Sequence, residues 1–370
     1  MDVLSRWPDR RLLDLIDIEL PIVQAPMAGA SGSAMAGEVS AAGALGSIPC
    51  AMLDAAGARA EVDAVRQRTA QPFNLNFFCH TAPEIDAERE LEWRRRLSDY
   101  YASLGVEAPP VSSHAGRAPF DARMCEFVEE VAPKVVSFHF GLPAAELVDR
   151  VKAAGCIVIS SATTVDEARW LEEHGCDAVI AQGYEAGGHR GMFLTEDVAM
   201  QPGTFALVPQ VVDAVTVPVI AAGGVADGRG IAAALALGAA GVQIGTAYLF
   251  TAESLISELH REALGSAQAD HTALTNVFSG RPARGIVNRV VREVGPIAAE
   301  APAFPMAGGA LGPLKAAAEA SGQADFSALW SGQSAKLAAR LAADSGISNS
   351  SELTHRLADD ALGVLLGLGT

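Results

Sequence analysis

The chain has 370 residues, of which half are hydrophobic and 19% are charged, and its formal net charge is −17. This length and composition indicate a globular protein with a large core, arranged as one large domain or two modest ones. The negative charge argues against nucleic acid and against an anionic membrane surface as partners.

The five cysteines are scattered through the chain, and no two of them form a Cys-x-x-Cys pair. Such usage is typical of a reducing compartment and gives no metal-binding signature, so we expect a cytoplasmic protein without a metal site. The amino terminus, MDVLSRWPDR, lacks an apolar secretion segment. The uncharged run 231–250 contains glycines and predicts a short helix followed by a buried strand, not a membrane span.

Apolar runs of strand length alternate with helical stretches from residue 21 to residue 246. Eight strands are predicted, over residues 21–27, 44–48, 73–78, 135–140, 156–160, 178–181, 218–222 and 241–244. Capping residues are expected to begin helices between them: Thr164 or Asp166 for one helix, and Asp227 for another. Because continuous apolar strands are typical of parallel sheets covered on both faces, the pattern predicts an α/β fold, a (β/α)8 TIM barrel. A doubly wound sheet is the competing layout, but the glycine fingerprint that usually follows its first strand is absent here.

Two stretches depart from this alternation. Residues 81–118 are a charged excursion, and the run ERELEWRRRL (88–97) predicts a helix with a solvated face. After residue 250, helical stretches alternate with segments rich in Pro, Gly and Ala, so 251–370 is expected to form a helical lid and flanking helices beside a barrel of 1–250. Within this lid, Arg281 and Arg284 are expected to form surface salt bridges, and steering of an anionic substrate is the alternative.

The ends of the predicted strands indicate where a site lies, because barrels of this kind place their active sites there. Small residues with amide or hydroxyl groups dominate these ends and no carboxylate is present, which favours a flat polar ligand over a metal ion. Glycines at the ends of the last two strands predict a phosphate held by backbone N–H groups. The strand ends are Ala25-Pro26-Met27, Asn76, His139, Ser160-Ser161, Gln182-Gly183, Gly223-Gly224 and Gly245-Thr246.

The sixth predicted strand continues into the loop QGYEAGGHRGMF (182–193), which contains four glycines and a single histidine. His189 is the candidate catalytic residue, because an imidazole is suited to move a proton near neutral pH. Gly187 and Gly188 allow the backbone to approach a ligand closely. A tight turn with a surface histidine is the alternative interpretation of this loop when it is considered alone.

Six segments together resemble the FMN-dependent nitronate monooxygenases, formerly called 2-nitropropane dioxygenases. They are PIVQAPMAGASGS (21–33), NLNFFCH (74–80), HFGLP (139–143), QGYEAGGHRGMF (182–193), PVIAAGGVADGRG (218–230) and VQIGTAYLF (242–250). The long charged segment after NFFCH and the link SGRPARG (279–285) resemble the class I branch of that family. The resemblance implies FMN in the barrel mouth. It also implies that an alkyl nitronate, such as propionate 3-nitronate, is oxidised with O₂ to a carbonyl compound and nitrite.

The resemblance further implies roles for individual residues. His189 matches the catalytic histidine of the family, Met27 would lie against the isoalloxazine ring, and Asn76 would hydrogen-bond it together with Gln182. The other cofactor-binding residues that it implies are Ala25, Pro26, Ser161, Gly187, Gly188, Gly223, Gly224, Gly245 and Thr246.

Two other functions stay open at this point. Similar FMN barrels reduce enoyl thioesters or quinones with NAD(P)H, and the EAGGH loop is not unique to one of these activities. A barrel lyase or isomerase would use the same phosphate site for a phosphorylated substrate and would carry no flavin. The oligomeric state is open as well, with a homodimer as one arrangement.

Overall fold

The computed structural model describes residues 7–111 and 117–367. Part of the predicted excursion 81–118, residues 112–116, therefore lies outside the described residues, as do most of MDVLSRWPDR and the last three residues. The strands of the described chain are β1 (Ile22–Gln24), β2 (Gly46–Pro49), β3 (Phe73–Phe78), β4 (Val135–His139), β5 (Ile157–Ala162), β6 (Ala178–Gln182), β7 (Gly188–His189), β8 (Val219–Ala222), β9 (Gly241–Ile244), β10 (Thr272–Thr275) and β11 (Ala283–Ile286).

Eight of these strands form one parallel sheet, in the order β1-β9-β8-β6-β5-β4-β3-β2. A parallel bridge between Val23 and Leu45 joins the two ends of this order, so the sheet closes into a barrel. The predicted (β/α)8 barrel is therefore confirmed, and a doubly wound sheet is excluded, because such a sheet stays open at both edges. β10, β11 and β7 form a separate antiparallel sheet.

The helices alternate with the barrel strands as the sequence predicts. They are α1 (Arg11–Ile16), α2 (Ser33–Ala41), α3 (Ala55–Arg68), α4 (Ala87–Arg96), α5 (Ser98–Leu104), α6 (Ala122–Val131), α7 (Ala145–Ala153), α8 (Val165–Glu173), α9 (Thr204–Val212), α10 (Gly228–Ala236), α11 (Glu258–Gly265), α12 (Arg289–Glu293), α13 (Gly308–Ala320), α14 (Ala335–Ser345) and α15 (Ser350–Leu365). Both predicted caps are confirmed: the side chain of Thr164 accepts from the N–H of Glu167, and that of Asp227 from the N–H of Gly230.

The barrel core consists of aliphatic strand residues covered by the helices. Ile22, Val136 and Ile220 have no solvent exposure, and burial of each such side chain contributes roughly 1.5–3 kcal/mol. The last helix, α15, packs against α10 and α2 and adds Leu353 and Leu357 to the same core. The barrel core thus extends beyond residue 250, where the sequence predicted its end.

The charged excursion and the carboxyl-terminal segment share a second core. Trp93 of α4 is fully buried there, and its indole N–H donates to the carbonyl oxygen of Ala307 at 3.0 Å. Leu311 and Phe326 pack into the same cluster. The predicted solvated face therefore covers only one side of α4, because the other side packs against residues of the carboxyl-terminal segment.

Residues 251–370 contain the strands β10 and β11 in addition to helices, which corrects the prediction of a helical lid. Each of these strands has only four residues, and a turn that contains Gly and Pro separates them. The alternation of their side chains is therefore too short to be recognised in the sequence. The run 231–250 forms the end of α10, then β9, as predicted. Within the described residues, no helix is long and apolar enough to cross a bilayer.

Gly46 of β2 lies directly against α2, where a Cβ atom would overlap the backbone carbonyl of Ala36. We expect Gly46→Ala to destabilise the protein by about 1–3 kcal/mol or more, because backbone atoms must shift to admit one methyl group. The measurement is the urea midpoint of unfolding. Gly309→Ala is the matched control, since nothing lies within 4 Å of its Cβ position, and it should leave the midpoint unchanged or raise it. Equal midpoints for the two variants would contradict this packing.

Candidate active site

The carboxyl ends of the eight barrel strands meet at one end of the barrel, the barrel rim, where most of the predicted site residues lie. Ala25, Pro26 and Met27 follow β1 and are partly exposed there. They adjoin the end of β9, because a Cβ atom on Gly245 would lie 3.4 Å from the Cβ of Ala25 and 3.5 Å from the sulfur of Met27. The ends of the first and last barrel strands thus form one continuous wall.

Asn74 and Asn76 point to the same side of β3, as the alternation of side chains predicts. Both side-chain amides donate to the hydroxyl oxygen of Ser137 at 2.9 Å. Asn76 is the one nearer the strand end, and no other described residue bonds its side-chain oxygen. That oxygen is the group of Asn76 that a ligand N–H can use.

His189 lies on a two-stranded antiparallel unit formed by β7 and β11, which we call the His189 ribbon. It stands opposite Ala283, and its Nε2 lies 2.8 Å from the hydroxyl oxygen of Ser279. That hydroxyl donates to the carbonyl oxygen of Arg281 at 3.3 Å, so it accepts from His189 Nε2–H. The hydrogen-bond network therefore assigns the unprotonated nitrogen to Nδ1, which no other described residue bonds.

The backbone of His189 is fixed by two donors. Its carbonyl oxygen accepts from Nε2 of Gln182 at 3.0 Å and from Nε2 of His139 at 3.2 Å. The side-chain oxygen of Gln182 accepts from the N–H of Gly191 at 2.7 Å, and Ser161 donates to Nδ1 of His139 at 3.1 Å. Gln182 and Ser161, which the resemblance assigned to the cofactor, thus bond the loop that contains His189 directly or through His139.

Four aromatic side chains surround the imidazole of His189. They are Phe304, Trp330, Phe140 and Phe78, with ring centroids at 5.3, 5.5, 6.1 and 6.4 Å. Burial lowers the pKa of His189 well below its ordinary value, and the positive charges of Arg117 and Arg281 add to this shift. The imidazole is therefore neutral at neutral pH and is able to accept a proton at Nδ1.

Arg117 and Arg281 lie at the outer side of this aromatic group. The guanidinium carbon of Arg281 is 4.3 Å from the centroid of Phe140, and that of Arg117 is 5.8 Å from the centroid of Phe304. The prediction of surface salt bridges for Arg281 and Arg284 is wrong. Arg281 donates to the carbonyl oxygen of Met192 at 2.7 Å, Arg284 is buried, and neither pairs with a carboxylate in the part of the chain that the structure describes.

The predicted phosphate residues lie beneath a segment that the sequence did not indicate. Residues 331–334, the covering segment, pass over the ends of β8 and β9. The N–H of Gly332 donates to the hydroxyl oxygen of Thr246 at 3.0 Å, and the hydroxyl of Ser334 donates to the carbonyl oxygen of Gly224 at 2.7 Å. Gly223 precedes Gly224 in the same turn. Helix α14 begins directly afterwards, and the N–H groups at the start of a helix favour an anion.

The glycines of the catalytic loop have different surroundings. A Cβ atom on Gly187 would lie 2.5 Å from the backbone nitrogen of Gly332, so the absence of a side chain admits the covering segment. The Cβ position of Gly188 has no atom within 4 Å, which leaves open space beside the ribbon. Gly187 therefore approaches protein backbone closely, and Gly188 is the one that adjoins open space.

Gln243 is a candidate site residue that the sequence analysis missed. It belongs to β9, two residues before Gly245, and its side-chain oxygen is buried without a partner among the described residues. Buried acceptors of this kind normally receive a hydrogen bond. An amide inside an otherwise apolar strand was the signal in the sequence, and its orphaned oxygen points to a ligand N–H.

Comparisons with known proteins agree with this geometry. The profile of the nitronate monooxygenase family matches residues 9–347. A nitronate monooxygenase of Pseudomonas aeruginosa is 43% identical over 336 residues, which cover 90% of this chain and 95% of that protein. The solved nitroalkane oxidase of Streptomyces ansochromogenes has a TM-score of 0.85 at 38% identity, with 97% of this chain and 100% of that chain covered. FabK of Thermotoga maritima has a TM-score of 0.72 at 28% identity, with 97% of each chain covered.

The protonation state of His189 is directly measurable. We expect ¹⁵N spectra of histidine-labelled protein at pH 6 to contain neutral, Nε2-protonated imidazole signals from His189 and His139, because burial also lowers the pKa of His139 to about 4. The signal of His189 is the one that should disappear in His189→Asn. An ordinary histidine is largely charged at that pH, whereas burial keeps this one neutral. Ser279→Ala should weaken the preference for the Nε2 tautomer, and Ser279→Thr should keep it. A charged His189 at pH 6 would contradict the assignment.

Proposed function

The chain belongs to the nitronate monooxygenase family, and on that premise we propose which cofactor it uses and what the residues around His189 do. Its activity is the flavin-dependent oxidation of alkyl nitronates with O₂ to a carbonyl compound and nitrite. We propose that the flavin is non-covalent FMN and that residues 251–370 are the lid over it. The observation that carries this proposal is the position of His189 at the barrel rim: its Nε2 contacts Ser279, its Nδ1 has no partner among the described residues, and it lies near the covered ends of β8 and β9.

The residues at the barrel rim fit FMN. The orphaned oxygen of Gln243 and the side-chain oxygen of Asn76 are acceptors suited to the N–H edge of an isoalloxazine. Gly245, Thr246 and the start of α14 provide N–H groups for a phosphate. The Cβ position of Gly332 lies 3.1 Å from the carbonyl oxygen of Glu185 and 3.3 Å from the nitrogen of Gly187. Because this packing closes the outer side of the phosphate site, it supports a terminal phosphate, as in FMN, over a dinucleotide.

We assign the predicted residues to two groups. Those that would contact FMN are Ala25, Pro26, Met27, Asn76, Gly188, Gly223, Gly224, Gly245 and Thr246, with Gln243 added. Ser161, Gln182 and Gly187 support the cofactor indirectly, because their contacts hold the catalytic loop and the covering segment. When bound, FMN supplies the redox chemistry by accepting electrons and reacting with O₂.

The chemistry left to the protein is binding and proton transfer. A nitronate is already an anion, so no proton needs to be removed before its oxidation. The positive potential of Arg117 and Arg281 favours its approach, while the neutral imidazole adds no charge of its own. A neutral nitroalkane must first lose its α-proton, and Nδ1 of His189 is the unprotonated nitrogen able to take it. The aromatic group around His189 excludes water from this transfer.

The five cysteines are all free thiols, which supports a cytoplasmic location as part of the proposal.

The alternative activity is the reduction of enoyl thioesters or quinones, and it requires that NAD(P)H reduces the flavin. Rapid bleaching of the bound flavin by NADH without O₂ would favour that alternative. Slow bleaching together with nitrite release from nitronate would favour the monooxygenase.

The phosphate site is tested by substitution of Thr246. We expect Thr246→Glu to bind FMN at least tenfold more weakly, because its carboxylate would face the phosphate in a poorly screened site. Flavin released by heat from the wild type should comigrate with FMN in chromatography. Thr246→Ser keeps the hydroxyl that accepts from Gly332 and serves as the control with wild-type occupancy. A folded Thr246→Glu protein with full flavin content would overturn this phosphate site.

The role of His189 is tested with two forms of one substrate. We expect His189→Asn to retain FMN and to lose about 10²–10⁴-fold in activity on a neutral nitroalkane, the range of general-base catalysis. Activity on the preformed nitronate should fall much less. Nitrite release and O₂ uptake are measured for both forms at one pH. Equal fractional losses on the two forms would leave His189 as a binding residue only.

A further inference from the structure

Two buried arginines lie on the back of the His189 ribbon. Arg190 has no solvent exposure and Arg284 is 2% exposed. Arg284 stands opposite Gly188 in the ladder, and the N–H of Arg190 donates to the carbonyl oxygen of Pro282. Because side chains alternate along strands, both arginines point to the face opposite that of His189. They are diagonal neighbours, a separation that long side chains bridge.

The two guanidinium groups are held beside one another by the same short piece of backbone. Nη2 of Arg190 donates to the carbonyl oxygen of Gln182 at 2.9 Å, and Nε of Arg284 donates to that of Tyr184 at 3.1 Å. Arg190 also donates to the side chain of Gln201 at 2.6 Å, and Arg284 to that of Thr272 at 3.1 Å. The carbonyl groups of Gln182 and Tyr184, which are two residues apart in the chain, thus hold the two positively charged guanidinium groups beside each other.

Each guanidinium keeps one nitrogen without an acceptor. Nη1 of Arg190 and Nη2 of Arg284 are buried and bond nothing among the described residues. The carboxylate charges that act on Arg190 come from Glu185 and Glu167, but neither forms a salt bridge with these arginines in the described chain. Glu185 instead accepts from the N–H and hydroxyl of Thr204, both at 2.8 Å.

The electrostatics of this pair need a counter-charge. Burial lowers the pKa of Arg190 to about 10, and the adjacent charge of Arg284 lowers it further. Burial also lowers the pKa of Arg284. Buried charges in folded proteins are paired, and buried donors are hydrogen-bonded. The ring of Tyr184 lies 4.8 Å from the guanidinium carbon of Arg284, but it does not accept from the unused nitrogen. Two adjacent buried like charges, with one unused donor each and no ion pair among the described residues, therefore point to an anion beside them.

We propose that Arg190 and Arg284 bind a small inorganic anion of the halide class between Nη1 of Arg190 and Nη2 of Arg284. Both donor atoms are buried, which favours a monatomic anion over a larger carboxylate or phosphate ester. An open cleft of about 450 Å³ is lined by Tyr184, Glu185, Gln201 and Gln333 among others, and it adjoins the residues that hold the two guanidinium groups. The anion neutralises the back of the ribbon and stabilises the pairing that positions His189. This inference does not rest on the proposed function.

The test uses the flavin-loaded protein with chloride or bromide as the probe. We expect the thermal unfolding temperature to rise by about 2–4 °C and saturate as chloride replaces gluconate at constant ionic strength. Bromide should act similarly. Arg284→Met should lose this dependence, whereas Arg289→Met, a surface arginine paired with Glu293, should keep it. Bromide-soaked crystals should give an anomalous peak within hydrogen-bond distance of both unused nitrogens.

Several results would overturn the proposal. One is a water molecule in place of bromide, and another is a halide dependence that Arg284→Met leaves intact. A bromide peak without any effect on unfolding would indicate binding at crystal concentration only. If Arg284→Met does not fold, Arg284→Lys keeps the charge without the Nη2 donor, and it should lose the halide dependence.

Discussion

The pairing of β7 with β11 is the interaction on which the site depends. It joins two residues of a barrel loop, Gly188 and His189, to a strand almost a hundred positions later in the chain. Without it His189 would be a side chain on a glycine-rich loop, free to take many orientations. With it, the imidazole has Ser279 on one nitrogen and four aromatic rings around it, and the backbone carbonyl is held from the barrel side. His189 and the segment after residue 250 are therefore one structural unit.

The same ribbon separates two electrostatic environments. One face holds a neutral imidazole among aromatic rings, where burial keeps the proton off. The other face holds two guanidinium groups in a densely hydrogen-bonded region. An acidic protein thus concentrates positive charge around the loop that contains His189. Net charge alone would have suggested a protein that repels anions.

The sequence predicted the barrel well because its strands are largely apolar runs that alternate with helices, a pattern that local chemistry determines. It also indicated His189 and the glycines near the phosphate site, because they follow strands directly. It did not indicate Ser279, Gly332 or Trp330, since these reach the site through pairing across long separations, and no local periodicity marks them. The surface assignment of Arg284 failed for the same reason: only the ladder reveals which face of a short strand is buried.

The position of α15 has a consequence for the biosynthesis of this protein. The helix that completes the barrel wall is the last one in the described chain, and the strand that holds His189 in place also comes late. A growing chain on the ribosome can form its early βα units, but these leave apolar surface on α2 and α10 uncovered until α15 has been synthesised. Long-range closure of this kind is slow relative to local folding. Chains truncated before α15 would expose that surface, which makes them targets for chaperones and proteases.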